Sequence, residues 1–317
     1  MAVIRSHPDE SPFMIRIATR RSRLALWQAE HVAARLADHG IAAELVPMVT
    51  EGDEKLDSSL ARIGGKGLFI KALEQAMADG RADIAVHSMK DVPAHMPPGF
   101  ELAVVLAGAS PFDALVSNRH AGFASLPQGA RIGTASIRRR SQLLHARPDL
   151  QVGLLRGNVE TRLGKLDAGE FDAIILACAG LERLGLGDRI RERLPATLSL
   201  PAIGQGVVGI ECRAGDDHIR HQLAPLNDAA SSLRIAAERA FGAALEGDCS
   251  SPIAAFAEAT SPGMLRLRGR VAAVDGSRLL EAEAEGPDGA PEALGRSVAE
   301  MLLAQGAGEL LDATDPP

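Results

Sequence analysis

The stretch Ile84-Ala85-Val86-His87-Ser88-Met89-Lys90-Asp91-Val92-Pro93 decides how this chain is read. Ile84 to Val86 is an apolar run of the kind that forms a short buried strand, and polarity arrives abruptly at its C-terminal end. Val92-Pro93 stops the pattern, because proline fixes its own φ and disfavours helix in the residue before it. In an open α/β sheet the ligand crevice lies outside the carboxyl ends of the strands. His87, Ser88, Lys90 and Asp91 therefore fall where such folds place their chemistry. Taken alone, the same residues fit a solvated turn, so the weight rests on the rest of the chain.

Working outward, residues 14–19 read as a first strand, and Ser22 caps the helix that follows, with Ala25, Ala29, Val32 and Leu36 on one face and Gly40 at its end. Arg20, Arg21 and Arg23 cluster with Ser22 at that strand-to-helix turn, where a helix N-terminus already favours anions. Residues 43–49 form a second strand. Residues 51–67 are polar, glycine-rich and without clear period, which marks either a disordered loop or a functional lid. Gly64-Gly65-Lys66-Gly67 is not a phosphate loop, because Gly67 stands where Ser or Thr must follow the lysine. Residues 68–78 give a second helix.

Strands follow at 102–106 and 114–117, and Gly108-Ala109-Ser110-Pro111 between them marks a crossing between domains. From Arg131 to Arg162 there are seven arginines against only Asp149 and Glu160. Arginine's planar fork bonds carboxylate or phosphate at two points, and here arginines recur at strand ends: Arg138 and Arg139 after 131–133, Arg156 after 152–155. Residues 172–177 are the clearest buried strand, and Cys178 closes it as a small core residue. Residues 194–203, with two prolines, mark a second crossing. Gly204-Gln205-Gly206-Val207-Val208-Gly209 spells G-x-G-x-x-G, but no strand precedes it and a strand follows it, so it is not a dinucleotide site. A helix at 229–245 buries Leu233, Ala236, Ala237, Ala240 and Ala244. Asp248-Cys249-Ser250 then places one cysteine in an exposed small-residue loop, and runs at 253–259, 265–272 and 279–284 make a small sheet backed by a helix at 291–305.

The totals bound the function. The chain has 317 residues, enough for two or three domains, with a net charge of −7, 3% aromatic residues and no tyrosine. A nucleic-acid binder would need a basic footprint and stacking platforms, so that class is set aside. Cys178, Cys212 and Cys249 are sparse and far apart, which argues for a reducing compartment, against a disulfide framework and against a metal site. No apolar run approaches the ~18 residues of a membrane span, and residues 1–12 read as a loose leader on a cytoplasmic protein.

Several of these stretches together resemble one family. Ile17-Ala18-Thr19-Arg20 with Leu24-Ala25-Leu26-Trp27-Gln28, Gly64-Gly65-Lys66-Gly67-Leu68-Phe69, and His87-Ser88-Met89-Lys90-Asp91-Val92-Pro93 are similar to porphobilinogen deaminases. So are Gly133-Thr134 with Ser136-Ile137-Arg138-Arg139, Leu155-Arg156-Gly157-Asn158-Val159 with Thr161-Arg162-Leu163, Gly180-Leu181 with Arg183-Leu184, and Pro201 with Gly204-Gln205-Gly206. The motifs run in order from Arg16 to about Ala255.

The resemblance implies an α/β protein of three domains: two similar periplasmic-binding-protein-like α/β domains and a smaller α/β C-terminal domain carrying the cofactor. It divides the chain into 1–108 with 207–226, 109–206, and 227–317. It implies a dipyrromethane attached through a thioether to Cys249, and Asp91 as the catalytic carboxylate. Lys90, Thr134, Ser136, Arg138 and Arg139 would hold the cofactor's carboxylates. Arg20, Ser22, Arg156, Arg162 and Arg183 would meet porphobilinogen, with Lys66 on or beside the lid. The expected reaction condenses four porphobilinogens into hydroxymethylbilane with loss of ammonia, in a monomer. Arg23 stands where proline is common, and Asp248 where glycine is frequent before the cysteine. A rival reading is a non-catalytic anion-binding module on the same scaffold, since fold alone does not fix function.

Overall fold

The computed structural model describes residues 13–48, 68–247 and 251–313. The expected leader, the expected lid with Lys66, the expected attachment residue Cys249 and residues 314–317 lie outside the described residues.

The chain opens with β1 (Met14–Arg20), α1 (Arg23–Ala37) and β2 (Ala42–Met48). Ser22 caps α1 as expected, its hydroxyl accepting the Ala25 N–H at 3.3 Å, and Gly40 closes the turn after the helix at φ +75°. Next come α2 (Leu68–Ala78), β3 (Ile84–Ser88), one 3₁₀ turn over Met89–Asp91, and β4 (Phe100–Val105). The chain then crosses to β5 (Asp113–Val116), β6 (Arg131–Gly133), α3 (Ile137–Ala146), β7 (Gln151–Gly153), α4 (Val159–Asp167), β8 (Ala173–Ala177), α5 (Cys178–Arg183) and β9 (Ile190–Arg193). A second crossing leads to β10 (Val208–Arg213) and α6 (Asp217–Leu223). The last part is α7 (Ala229–Ala244), β11 (Ile253–Ser261), β12 (Met264–Ala272), β13 (Leu279–Pro287), α8 (Pro291–Ala304) and α9 (Ala307–Asp312), the last of which has no counterpart in the sequence reading.

Two five-stranded sheets share one plan, β2-β1-β3-β10-β4 and β7-β6-β8-β5-β9. In each, three parallel strands are followed by one antiparallel strand and then an edge strand that pairs with it. The antiparallel strand is in both cases the one the chain reaches by crossing over. This is the expected pair of similar α/β domains, each with helices on both faces. Ile15, Ile17, Ile84, Val86 and Ile210 pack against Val32 and Leu36 of α1, and Ala18 and Ala85 pack against Leu73 and Met77 of α2. In the second sheet Val116, Ile174 and Leu176 meet Leu163 and Leu166 of α4, and Leu115, Ile132 and Ile175 meet Leu143 of α3. The parallel strands are buried on both faces, which is why 84–86 and 173–177 read as unbroken apolar runs.

The smaller C-terminal unit is an antiparallel β11-β12-β13 sheet covered by α7 and α8. Here one expectation changes. The buried face of α7 is Ile235, Ala237, Glu238, Phe241 and Gly242; of the expected stripe Ala237 is buried and Leu233 and Ala244 pack partly buried on the C-terminal core, while Ala236 and Ala240 stay half-buried. The helix is sandwiched: Ile235 packs against Val105 and Val207 on one side, and Phe241 enters the C-terminal core on the other. Such a helix has no single dry stripe to read. A Cβ at Gly269 in the middle of β12 would run into the Phe241 ring, so a glycine makes the room this aromatic fills.

Cys178 and Cys212 are fully buried, and burial pushes their thiols up to about 11 and about 12, so both are inert core residues. No described helix is long and apolar enough to cross a membrane. Phe241→Ala should leave a cavity in the C-terminal core and destabilise it by about 3–5 kcal/mol, measured by denaturant titration followed by circular dichroism.

Candidate active site

Almost every residue singled out in the sequence sits just beyond the carboxyl end of a strand. Arg20 ends β1, Lys90 and Asp91 follow β3, Thr134 and Ser136 follow β6, Arg156 follows β7, and Arg183 ends α5 directly after β8. Local chemistry fixes the turns. The Ser136 hydroxyl accepts the Arg139 N–H at 3.4 Å and so caps α3, while Thr134 Oγ1 accepts the Ser136 N–H at 3.2 Å. Asn158 caps α4, accepting the Thr161 N–H at 2.8 Å, and Arg162 Nε donates to the Gly157 carbonyl at 2.7 Å.

The centre of the cluster is a residue the sequence reading missed. Asp113, at the head of β5, is fully buried. Its Oδ2 accepts from Arg138 Nη1 at 2.9 Å and from Ser199 Oγ at 2.7 Å. Its Oδ1 accepts from Arg138 Nη2 at 3.2 Å, Arg139 Nε at 2.9 Å and Gln205 Nε2 at 2.9 Å. Burial opposes ionisation of this carboxyl, but the two guanidiniums outweigh it and hold Asp113 far below the usual carboxylate range. Arg138 also donates to the Leu200 carbonyl at 2.6 Å and Arg139 to the Ile175 carbonyl at 2.9 Å. Both arginines, expected to face a ligand, thus have an internal counter-ion as well. One signal was available in the sequence: a lone acid heading a strand as apolar as Ala114–Val116 needs a buried partner.

Lys90, Asp91 and Arg162 join this cluster electrostatically. Desolvation is the main influence on the half-buried Lys90. Repulsion from Arg139 and Arg138 adds to it, Asp91 and Asp113 counter it in part, and the ammonium is pulled down to about 8. Arg162 is likewise lowered to about 10, by burial first and by Arg139 second, with Asp91 opposing. Among the described residues, four cations therefore act on one another beside two carboxylates, Asp91 and Asp113. Half-buried Arg156 makes no hydrogen bond or ion pair among the described residues.

Other predicted residues have more defined tasks. Arg183 donates to the Gly206 carbonyl at 2.7 Å and lies over the Trp27 ring at 5.5 Å. Ser22 is engaged as the α1 cap, and Arg20 is half-buried at the end of β1. Arg23 forms an exposed ion pair with Glu160 at 3.1 Å, linking α1 to α4 across the two domains. His87 faces away into the first domain, 2.7 Å from the buried Glu211 carboxylate. Among the described residues no group of His, Cys, Asp and Glu is arranged to hold a metal.

The Lys90 shift has a stability consequence. Its native value lies below the ordinary 10.5, so between about 8 and 10.5 the unfolded chain holds the extra proton, and the Lys90 contribution to stability rises with pH through that window. At pH 7 the charged ammonium is a strain on the ligand-free fold. Lys90→Met should raise the ligand-free thermal midpoint at pH 7 by about 2 °C, read by calorimetry, and should flatten the rise in stability from pH 8 to 10.

Comparison with known proteins gives the same direction. A family model described as "Porphobilinogen deaminase, dipyromethane cofactor binding domain" matches residues 15–221. A second, "Porphobilinogen deaminase, C-terminal domain", matches residues 232–304. Among solved structures, a putative methionine-binding lipoprotein from Bacillus subtilis is 13% identical over 67% of this chain and 89% of its own, with a TM-score of 0.43. A nutrient binding protein from Burkholderia cenocepacia bound to methionine is 15% identical over 66% of this chain and 90% of its own, also with a TM-score of 0.43. Two family models matched in chain order over most of its length make this chain a member of the porphobilinogen deaminase family, with a role in tetrapyrrole synthesis.

Proposed function

We propose that the chain condenses four porphobilinogen molecules head to tail, with release of ammonia, into hydroxymethylbilane on a dipyrromethane primer joined through a thioether to Cys249. The observation that carries this reading is that Asp91 acts on Lys90 and Arg162 within a cluster that also holds Arg138, Arg139 and the buried Asp113. Substrate and primer both bear acetate and propionate arms, so their carboxylates suit a cluster built from cations. Lys90, Arg138 and Arg139, with the Thr134 and Ser136 hydroxyls, would hold the primer. Arg156, Arg162, Arg183, Arg20 and Ser22 would meet the incoming substrate, with Lys66 beside it. A bound dipyrromethane supplies the free pyrrole α-carbon that attacks.

The chain's own residues carry the rest. The aminomethyl C–N bond of porphobilinogen breaks, its electron pair leaves on nitrogen, and ammonia departs after protonation. Positive charge spreads onto the substrate's pyrrole nitrogen, where the Asp91 carboxylate stabilises it and takes part in proton transfer. Lys90 and Arg162, already positive and partly desolvated, fix the carboxylate arms, so orientation is set before charge develops. Hydrolysis then releases the linear tetrapyrrole and leaves the primer on Cys249.

In this reading residues 1–108 with 207–226 form the domain bearing Asp91, 109–206 the arginine-rich domain and 227–317 the domain bearing Cys249. The protein works as a monomer in the cytoplasm. A non-catalytic anion-binding module would use the same cations, but it gives Asp91 and Cys249 nothing to do.

Intact-mass measurement on the denatured protein, followed by peptide mapping around Cys249, tests the proposal. Two pyrrole units on Cys249, absent in Cys249→Ser, are expected. A chain that stays unmodified after incubation with porphobilinogen would sink it. Asp91→Asn should keep the primer and lower kcat by about 10²-fold or more, with KM changed little, in a steady-state assay of ammonia release.

A further inference from the structure

Gly204-Gln205-Gly206 does not bind a dinucleotide, yet four parts of the molecule meet at it. Gly204, at φ +70°, lies so close to the turn bearing Lys90 and Asp91 that an added Cβ would come within 2.8 Å of Met89 Cβ and 3.2 Å of the Lys90 nitrogen. Gly206, at φ +88°, is pressed against the first crossing, where a Cβ would meet the Ala109 and Ser110 carbonyls at 2.7 and 2.8 Å. The Gly206 carbonyl accepts the Ala109 N–H at 3.0 Å, so the two crossings are hydrogen-bonded to each other. The Gly204 N–H donates to Glu238 of α7 at 2.7 Å, which ties the same point to the C-terminal unit.

Between the two glycines, Gln205 is 1% exposed and its amide is fully engaged. Nε2 donates to the Pro111 carbonyl on the first crossing at 2.6 Å and to Asp113 Oδ1 at 2.9 Å. Oε1 accepts from Arg139 Nη2 at 3.4 Å. One side chain is thus bonded to a crossing, to the buried carboxylate and to a cluster arginine. Gly206 passes the linkage on, because its carbonyl holds Arg183, whose guanidinium lies over Trp27 of the first domain.

We propose that Gln205 is a positioning residue that couples anion occupancy of the Lys90–Arg138–Arg139 cluster to the paired crossings between the first two domains. The proposal rests on the anion-binding part of the reading above and not on the condensation chemistry. A carboxylate arriving at the cluster competes with Asp113 for Arg139. Asp113 then depends more on its neutral donors, Ser199 and Gln205. Gln205 has no idle donor, so a shift toward Asp113 pulls on Pro111, and a shift of its main chain moves the Gly206 carbonyl and Arg183. Coupling of this kind is carried by contiguous hydrogen bonds that have no slack.

Trp27 is the chain's single tryptophan, so it reports this linkage without labelling. The test titrates full-length Cys249→Ser, which carries no primer and so leaves the cluster open, and the same protein with Gln205→Leu, which keeps the volume but removes the amide, with benzenehexacarboxylate, an inert polycarboxylate. Binding is followed by calorimetry and Trp27 by its emission. Both proteins should bind within about threefold of one another, because the cations remain, while the emission change per bound anion falls at least about threefold in the variant as Arg183 is uncoupled from the cluster. Ser199→Ala in the same primer-free background weakens the same carboxylate without touching Pro111 and should keep the parent's emission response. If Gln205→Leu does not fold, Gln205→Met is read by the same criteria. An unchanged emission response in the Gln205 variant overturns the proposal. So does an equal loss in Ser199→Ala, which would mean general loss of support for Asp113, and so does absence of binding to the primer-free parent. The mass gain at Cys249 is read separately, so the condensation reading and this coupling can fail independently.

Discussion

The second domain is arranged around a carboxylate that has no access to water. Asp113 sits between two arginines in the first turn of α3, and that first turn contains no acidic residue. Cations at a helix N-terminus oppose its dipole by about 0.3–1 kcal/mol each, and here two are placed side by side. Losing one partner of a buried pair like Asp113 with Arg138 costs about 3–5 kcal/mol, so the ion pair decides the geometry and the dipole does not. Because the carboxylate also takes bonds from Ser199 and Gln205, the arginines are held at fixed positions before any ligand arrives. Preorganised charge of this kind is useful to an enzyme because it needs no rearrangement when substrate charge appears.

The topology places that centre where the two domains are joined. Each sheet receives its antiparallel strand from a crossing, so neither domain is closed by a continuous piece of chain. Asp113 opens the strand after the first crossing, and Ser199 to Gln205 belong to the second. Any movement of one domain against the other therefore passes next to the buried ion pair. The positive φ at Gly204 and Gly206 belongs to the same arrangement: two backbones and the Met89–Asp91 turn approach too closely there for any side chain.

Sequence periodicity was enough for individual elements, because doubly buried parallel strands and capped amphipathic helices leave local signatures, while the three-domain architecture came from the family resemblance. Residues 84–86, 173–177 and 23–37 were legible for that reason. Strand ends and the local charge imbalance pointed to the residues that the fold gathers around Asp113. Which atoms the arginines contact was not legible. Asp113 is separated from Arg138 by 25 residues and from Ser199 by 86, and nothing local marks such a partner except the oddity of an acid heading an apolar strand. Gln205 was hidden inside a glycine pattern that suggested a different chemistry. His87 stood within the deciding stretch, but side chains alternate across a strand, and its direction depends on Glu211 from a strand that arrives after both crossings. On α7 the alanine stripe gave Ala237 but not Ile235 or Phe241, because a helix packed on two sides has no single apolar face.

The overall charge and the local charge of this protein work in opposite senses, and the conflict is physical. A chain with net charge −7 repels an anionic substrate at long range, whereas the cluster holds more cations than carboxylates. Beyond a Debye length of about 8 Å at physiological salt the surface charge is largely screened. The buried cluster is screened far less, so attraction dominates once a carboxylate reaches the cleft. The lowered values of Lys90 and Arg162 have two causes, desolvation first and repulsion from Arg139 second, so like charges are held together in a partly dry place. A bound carboxylate removes that strain, so its binding includes the relief of repulsion already built into the fold. The price is acceptable because Asp113 keeps Arg138 and Arg139 from separating, which again makes the buried carboxylate the condition for the site.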